Sequence, residues 1–427
     1  MKKQTIKLGY IGLGRRGMAM LKKCFSEMPD VEVSMICDLD QGKLDAAMRM
    51  LAEKNYPTVP KAVRDYHEIL NTPEIDAVAV MTGWDMHIPC AIDSLKAGKY
   101  TAMEVGCAYD LSECYALLEA HESTKAPLMM LENCCYGRRE LMTLRMVKEG
   151  LFGEIVHCEG AYHHHLNNCE LFMKDKEGVL DTEHYRLLEY AKRNAEQYPT
   201  HELGPIAKVL GLNRGNRMLT LSSVASKARG IAAYMKKQGL EDHPMAGADF
   251  KQGDIVHTMI TCAGGETIHL QLDTTLPRPY YSRHFTVRGT DGMCEEISKT
   301  VCTYRIHDVT ESSVFNNEAE MFEKFDHPLH REYVALGERG DHGGIDWLVC
   351  RAFVESVKNG VNTPIDAYDT VSWLAIGPLS EMSIARGGAP VDVPDFTRGK
   401  WLRREPAVLG KYCLDEIVED PDTPIFG

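Results

Sequence analysis

No stretch of this chain approaches the roughly 18 consecutive apolar residues that a membrane span needs. Its start, Met1-Lys2-Lys3 running straight into a strand-like segment, lacks the form of a secretory leader. Both absences lead to the expectation of a cytoplasmic protein without a membrane partner. Positive charge is also short: 48 Lys and Arg face 62 Asp and Glu, and the net charge of −14 repels nucleic acid and anionic lipid. Small uncharged or weakly charged ligands suit such a surface better. The 14 cysteines show no repeating spacing, and Cys134 and Cys135 are adjacent rather than in a CxxC arrangement, so buried free thiols are expected instead of disulfides or a thiolate metal site. His163-His164-His165 is no metal cage either, because consecutive strand residues point to opposite faces. Internal repeats and low-complexity segments are absent, and no metal is expected.

What is present is the composition of a soluble globular protein, 44% hydrophobic and 26% charged, which argues against a disordered or fibrous class. At roughly 100–200 residues per domain, 427 residues suggest two domains. The run from Ile6 to Gly12 reads as a buried strand, and a helical pattern runs from Met18 to Met28. Strand-like Val31–Asp38 precedes a helix reaching about Lys54, and strand-like Ile75–Thr82 precedes one ending near Gly98. Thr101–Val105 and Pro127–Asn133 flank a helix over Leu111–His121. Such alternation predicts a doubly wound parallel sheet in a first domain, 1–133.

The texture then changes. Longer strand segments are expected at Ile155–His163, Leu219–Lys227, Asp254–Cys262, Glu266–Thr274 and His284–Gly289, the third and fourth forming a hairpin around Ala263-Gly264-Gly265. Between Glu183 and Gly211 a helical stretch is interrupted at Tyr198-Pro199-Thr200-His201, where Pro199 restarts the helix. The second domain, 134–427, reads as α+β with an open, mainly antiparallel sheet and helices on one side. Its tail from Pro394 reads as a loop wrapped on the surface.

Between the first strand and helix stands Gly12-Leu13-Gly14-Arg15-Arg16-Gly17. Glycines in that context let the backbone approach a pyrophosphate, and helix N-terminal amides bind it. Asp38 ends the second strand 21 positions after Gly17, where an acid accepts hydrogen bonds from the adenosine ribose and repels a 2′-phosphate. NAD is therefore expected over NADP, with Arg15 and Arg16 as cations working against that preference. Trp84 and His87 after the third strand, Glu104 after the fourth and Asn133 after the fifth complete the expected cofactor set.

With these residues in hand, the chain resembles the Gfo/Idh/MocA oxidoreductases over nearly its whole length. Glu132-Asn133-Cys134-Cys135-Tyr136-Gly137-Arg138, Gly160-Ala161-Tyr162, Tyr198-Pro199-Thr200-His201, Leu203-Gly204-Pro205, Arg278-Pro279-Tyr280 and His342-Gly343-Gly344 are similar in order and spacing to glycoside hydrolase family 109, best known as NAD-dependent α-N-acetylgalactosaminidases. The wider superfamily's dehydrogenases carry Glu-Lys-Pro after the fourth strand, where this chain has Glu104-Val105-Gly106. Valine moves no proton. Two positions depart from the hydrolases: Glu202 stands where they have glycine after the histidine, and His163–Asn168 differs from the usual segment.

The resemblance implies a glycosidase that uses tightly bound, recycled NAD on hexosides through C3 oxidation, C1–C2 elimination, water addition and re-reduction, an exception to the two-carboxylate strategy. His201 has the pKa range to deprotonate the C3 hydroxyl, and Tyr162 is the candidate at C2 if a cation such as Arg186 lowers its pKa. Arg186 also serves as a substrate clamp, with Tyr198, Tyr280 and Glu132 lining the sugar pocket. A homo-oligomer follows from the resemblance. The alternatives are an NAD-dependent sugar dehydrogenase releasing a 3-keto product, against which Val105 argues, and a non-catalytic NAD-binding sensor, against which His201, Tyr162 and Tyr280 argue.

Overall fold

The computed structural model describes residues 3–174, 178, 180–182, 184–304 and 314–427. Glu183, where the expected helical stretch begins, lies outside them. Six strands make a parallel sheet: β1 (Ile6–Ile11), β2 (Val31–Cys37), β3 (Lys61–Val63), β4 (Ala77–Val80), β5 (Tyr100–Met103) and β6 (Leu128–Met130). Their order, β3-β2-β1-β4-β5-β6, is that of a doubly wound dinucleotide fold, in which ligands sit outside the carboxyl ends of the strands where the winding reverses. The reversal falls between β1 and β4, directly beside the glycine loop. Strands β1 and β4 are buried on both faces, as a sheet covered by helices on each side requires. The sequence reading lacks β3 because its three residues carry one buried side chain and so no hydrophobic run.

The second sheet has eight strands: β7 (Ile155–His163), β8 (Met218–Ala225), β9 (Ile255–Cys262), β10 (Thr267–Asp273), β11 (Thr286–Gly289), β12 (Gly292–Glu295), β13 (Thr300–Thr303) and β14 (Val391–Asp392). They run in the order β13-β12-β11-β7-β10-β9-β8-β14. Strands β9 and β10 pair as the expected hairpin, while β10 and β7 are parallel in an otherwise antiparallel sheet. Burial alternates residue by residue along β9, so one face is covered and the other open. The helix Thr200–Val209 packs on β7 and the helix Ile376–Ala385 on β8.

Two elements tie the sheets together. The helix Ile345–Asn359 is buried over most of its length, and its Arg351 grips Asp30, just ahead of β2, at 2.5 and 2.6 Å. The C-terminal tail is not the surface loop expected from its charge. Tyr412, Cys413, Leu414 and Ile425 are buried, Tyr136 Oη donates to the Tyr412 carbonyl at 3.0 Å, and Trp347 Nε1 donates to the Ile425 carbonyl at 3.0 Å. Isolated apolar residues among charges anchor the tail at points, a pattern with no periodicity to read. No helix among the described residues is long and apolar enough to cross a membrane.

Candidate functional site

The glycine loop has a backbone that other residues cannot replace. Gly12 adopts φ +98°, and a Cβ there would stand 2.5 Å from the Met81 carbonyl oxygen. At Gly17 a Cβ would stand 2.3 Å from the Gly12 carbonyl oxygen, so the helix Arg15–Lys23 lies tight on the loop. Gly14 is the opposite case: a Cβ would meet nothing within 4 Å, which leaves its backbone open to a ligand. No side chain caps the first turn of that helix, and no acid occupies it. Its amides and positive dipole end are therefore free for a pyrophosphate.

Asp38 Oδ2 accepts from the Leu13 N–H at 2.7 Å, and Oδ1 accepts from the Asp40 N–H at 3.0 Å. The acid thus braces the loop while keeping lone pairs for ribose hydroxyls. A dinucleotide fits this cradle. Arg16, expected as a cofactor contact, is taken up elsewhere. Its Nε donates to Glu104 at 2.9 Å, and its terminal nitrogens grip both oxygens of Asp346 at 2.7 and 2.8 Å. The guanidinium is spent within the protein, which removes it as a partner for a 2′-phosphate. Asn133 Nδ2 donates to the same Asp346 at 2.6 Å, and His342 Nδ1 faces it at 2.8 Å. Arg15 is exposed and donates to the Cys169 carbonyl at 3.3 Å. His87 Nε2 faces the Thr82 carbonyl at 2.8 Å, and burial lowers its pKa, so the ring is neutral.

His201 and Glu132 form a dyad at the carboxyl end of β6. The imidazole Nδ1 lies 2.9 and 2.8 Å from the two Glu132 oxygens, and a carboxylate only accepts, so the proton sits on Nδ1 and the lone pair on Nε2. Glu132 also accepts from the Cys134 N–H at 2.9 Å. Burial alone would raise its carboxyl, but His201 and these hydrogen bonds outweigh burial and hold it below the ordinary value. The close approach depends on Gly204: a Cβ there would stand 2.9 Å from Glu132 Cγ and 3.1 Å from Cys135 Sγ. Glu132 was expected on the substrate side. It lies instead fully buried behind His201, with both oxygens engaged.

Cys134 joins Glu132 and His201 in a group whose potential ligand atoms lie within 4.8 Å of one another. Burial pushes the Cys134 thiol well up and outweighs Arg283, which donates to its sulfur at 3.3 Å and by itself favours the thiolate. That environment opposes the thiolate a metal would need.

Around His201 stands a wall of rings. Tyr162 lies 4.5 Å from Tyr198 and 5.6 Å from His201 between centroids, and Trp84 stacks on Tyr198 at 5.8 Å. Trp84 opens the helix that follows β4, so this wall joins the cofactor loop. Arg186 is buried among the rings, its Cζ 4.6 Å from Tyr198, 5.1 Å from Trp84 and 6.0 Å from Tyr162. Its Nε lies 3.2 Å from Glu170, while one terminal nitrogen has no hydrogen-bond partner among the described residues. A buried donor left open in a pocket asks for an acceptor from a ligand.

Burial raises the Tyr162 hydroxyl well above its ordinary value despite the opposing Arg186, so the resting phenol keeps its proton. The lowering anticipated from Arg186 is present but smaller than desolvation. Tyr280 lies off this cluster, half exposed and beside Arg278 at 5.6 Å. Its neighbour Tyr281 stands 6.1 Å from Tyr162 and 5.2 Å from His164. His164, which stacks on Tyr162 at 5.6 Å, and Glu170 are further site residues that sequence reasoning missed. Alternation along β7 was the available signal for His164, since it lies two positions beyond Tyr162. His163 points away, and burial and Arg278 bring its pKa down to about 4.

Comparison with known proteins agrees with this arrangement. Residues 136–403 match the family model described as glycosyl hydrolase 109, C-terminal domain. Residues 6–132 match the oxidoreductase family with an NAD-binding Rossmann fold. An α-N-acetylgalactosaminidase of Tannerella forsythia is 36% identical, the match covering 94% of this chain and 88% of the relative. A glycosyl hydrolase family 109 protein of Stenotrophomonas maltophilia is 38% identical, covering 96% and 93%. Among solved structures, levoglucosan dehydrogenase in complex with NADH and levoglucosan superposes with a TM-score of 0.65 at 19% identity, over 92% of this chain and 100% of that one. At that identity the likeness is one of fold.

Proposed function

The chain belongs to glycosyl hydrolase family 109 and is an NAD-dependent glycosidase; we propose that it acts on hexosides of the α-N-acetylgalactosaminide type, with His201 and Tyr162 moving the protons. The observation that carries this reading is the His201–Glu132 dyad, a base oriented by a buried carboxylate at the ends of the parallel strands. Bound NAD supplies a reversible hydride acceptor, held by the loop Gly12–Gly17 with Asp38. Nε2 of His201 takes the proton of the sugar C3 hydroxyl, and Glu132 stabilises the imidazolium that results. Tyr162 carries the C2 proton. Its phenol is protonated at rest, so Tyr162 first gives that proton to water and then takes the C2 proton in its place, with Arg186 steadying the phenolate between the two transfers. Arg186 also offers its open N–H to an acceptor on the sugar, and Tyr198 and Trp84 supply apolar ring faces.

Residues 1–133 then act as the NAD-binding unit and residues 134–427 as the substrate unit of a cytoplasmic homo-oligomer. Support for assembly comes from the open face of the second sheet, where Val224 and Met259 are exposed.

The test is incubation with nitrophenyl α- and β-glycosides in deuterated water, with and without added NAD⁺. Hydrolysis with deuterium at C2 and no accumulated NADH supports the proposal, and Tyr162→Phe then abolishes the incorporation. Stoichiometric NADH identifies a dehydrogenase instead, and inactivity across the panel points to a sensor.

A further inference from the structure

The segment Tyr198-Pro199-Thr200-His201 is bracketed by two acids, Glu196 and Glu202, and both side chains turn inward, 0% and 1% exposed. Glu202 lies in the first turn of the helix Thr200–Val209, which presses on β7 at Gly160. A Cβ on Gly160 would stand 2.2 Å from the Glu202 carbonyl oxygen, so Glu202 is pinned behind the strand that carries Tyr162. On the other side, the Glu196 N–H donates to Ser380 Oγ at 2.8 Å, and Glu196 Oε1 accepts from the Tyr198 N–H at 3.3 Å. Among the described residues the second Glu196 oxygen and both Glu202 oxygens are buried without a hydrogen bond of ordinary geometry. The two carboxyls face each other.

Their surroundings hold little charge to balance them. Strands β7 and β10 present backbone amides of Tyr162, Gln271 and Leu272, and the helix Ile376–Ala385 presents the Ser380 hydroxyl. The loop after β5 presents the Cys107 thiol, which burial pushes up to about 12. Arg193, beyond Cys107, is engaged by Glu381 and by the Ala108 and Tyr109 carbonyls. His201, next in sequence to Glu202, turns its ring to Glu132. Among the described residues no Lys, Arg or His forms an ion pair with either acid. Two carboxylates in such a place cannot both stay ionised, and a shared proton between them converts repulsion into a hydrogen bond.

We propose that Glu196 and Glu202 form a proton-sharing staple beneath the Tyr198–His201 turn, positioning both rings, and that loss of its proton at alkaline pH releases the turn and stops turnover. Burial raises Glu196 to about 8, and burial together with Glu196 raises Glu202 well above the carboxylate range. The sign follows. Carboxyls that titrate higher folded than unfolded stabilise the fold fully below the ordinary carboxylate range and lose that contribution as pH rises toward about 8.

The inference rests on His201 as a proton-transfer residue, so the test has one arm with turnover and one without. Wild type and Glu202→Gln are followed from about pH 6 to about pH 9.5 by thermal melting and by kcat and KM. In the wild type the melting temperature falls steadily from about pH 6 through about pH 8, where the buried carboxyls keep protons that the unfolded chain has lost, and kcat falls above that as the shared proton leaves, approaching a tenfold loss per pH unit while KM changes little. Glu202→Gln keeps the shape and a donor but cannot ionise, and holds both flat; Glu196→Gln does the same and serves if the first variant folds poorly. Coincident wild-type and Glu202→Gln profiles overturn the staple. Should the wild type lack glycosidase turnover, the proposed function fails, while the melting arm still decides the staple by whether the variant flattens it.

Discussion

Nδ1 of His201 stands 2.9 and 2.8 Å from the two carboxylate oxygens of Glu132, a residue 69 positions earlier at the end of the other sheet. The parallel sheet supplies the carboxylate, and the helix that packs on the second sheet supplies the base. The proposed proton transfer needs both, because the carboxylate sets which imidazole nitrogen is free.

Replacing Glu132 by Gln is therefore expected to lower kcat by about 10²-fold or more with NAD still bound, because Nε2 loses its fixed lone pair. Glu132→Ala also leaves the buried Cys134 N–H without its acceptor, a cost of about 1–3 kcal/mol. Steady-state kinetics beside an NAD titration check both. A Glu132→Gln enzyme with unchanged kcat would remove the dyad from catalysis.

The glycine loop separates binding from folding. Gly17→Ala drives a Cβ into the Gly12 carbonyl and is expected to lower the melting temperature even without cofactor. Gly14→Ala meets no protein atom within 4 Å, so the free protein should melt as the wild type does. The methyl group then occupies the space into which the pyrophosphate comes, and NAD should lose most of its stabilising effect. Thermal shift with and without NAD distinguishes the two variants; equal NAD stabilisation of Gly14→Ala and wild type contradicts the assignment.

Asp346 answers to Arg16, His342 and Asn133 at once. Burial alone would raise its carboxyl, but Arg16 and His342 outweigh burial and hold it well below the ordinary range. A depressed carboxylate contributes stability that is present above its unfolded pKa and is lost as pH falls through the folded value. Asp346→Asn is thus expected to flatten the acid side of the stability profile. Arg16→Ala should cost about 2–3 kcal/mol, below the figure for a fully buried pair because Arg16 is partly exposed. Urea titrations from about pH 3 to about pH 7 measure both effects. Undiminished acid sensitivity in Asp346→Asn would exclude it as the titrating group.

The parts of this protein that repeat locally were legible in the chain itself. Buried strands alternate with helices, and Gly12, Gly14, Gly17 and Asp38 stand at fixed offsets, so the first sheet and its cofactor followed from short-range pattern. Motif order likewise carried the family and put forward His201 and Tyr162 as candidates. The roles of several residues were not legible, because they depend on what arrives from far along the chain. Arg16 looks like a phosphate ligand until Asp346, 330 positions later, takes its guanidinium. Glu132 looks like a pocket residue until the helix Thr200–Val209 covers it, as Gly204 allows. Tyr280 and Tyr281 are equivalent in sequence, and only the turn ahead of β11 decides which ring faces Tyr162. Glu202 reads in the sequence only as a departure from the hydrolase pattern, whereas the approach of its helix to Gly160 buries it beside Glu196. Local pattern determines strands, helices and phosphate loops because their hydrogen bonds close within a few residues. Which side chain meets which charge is a matter of long-range contact, and there the tertiary structure decides.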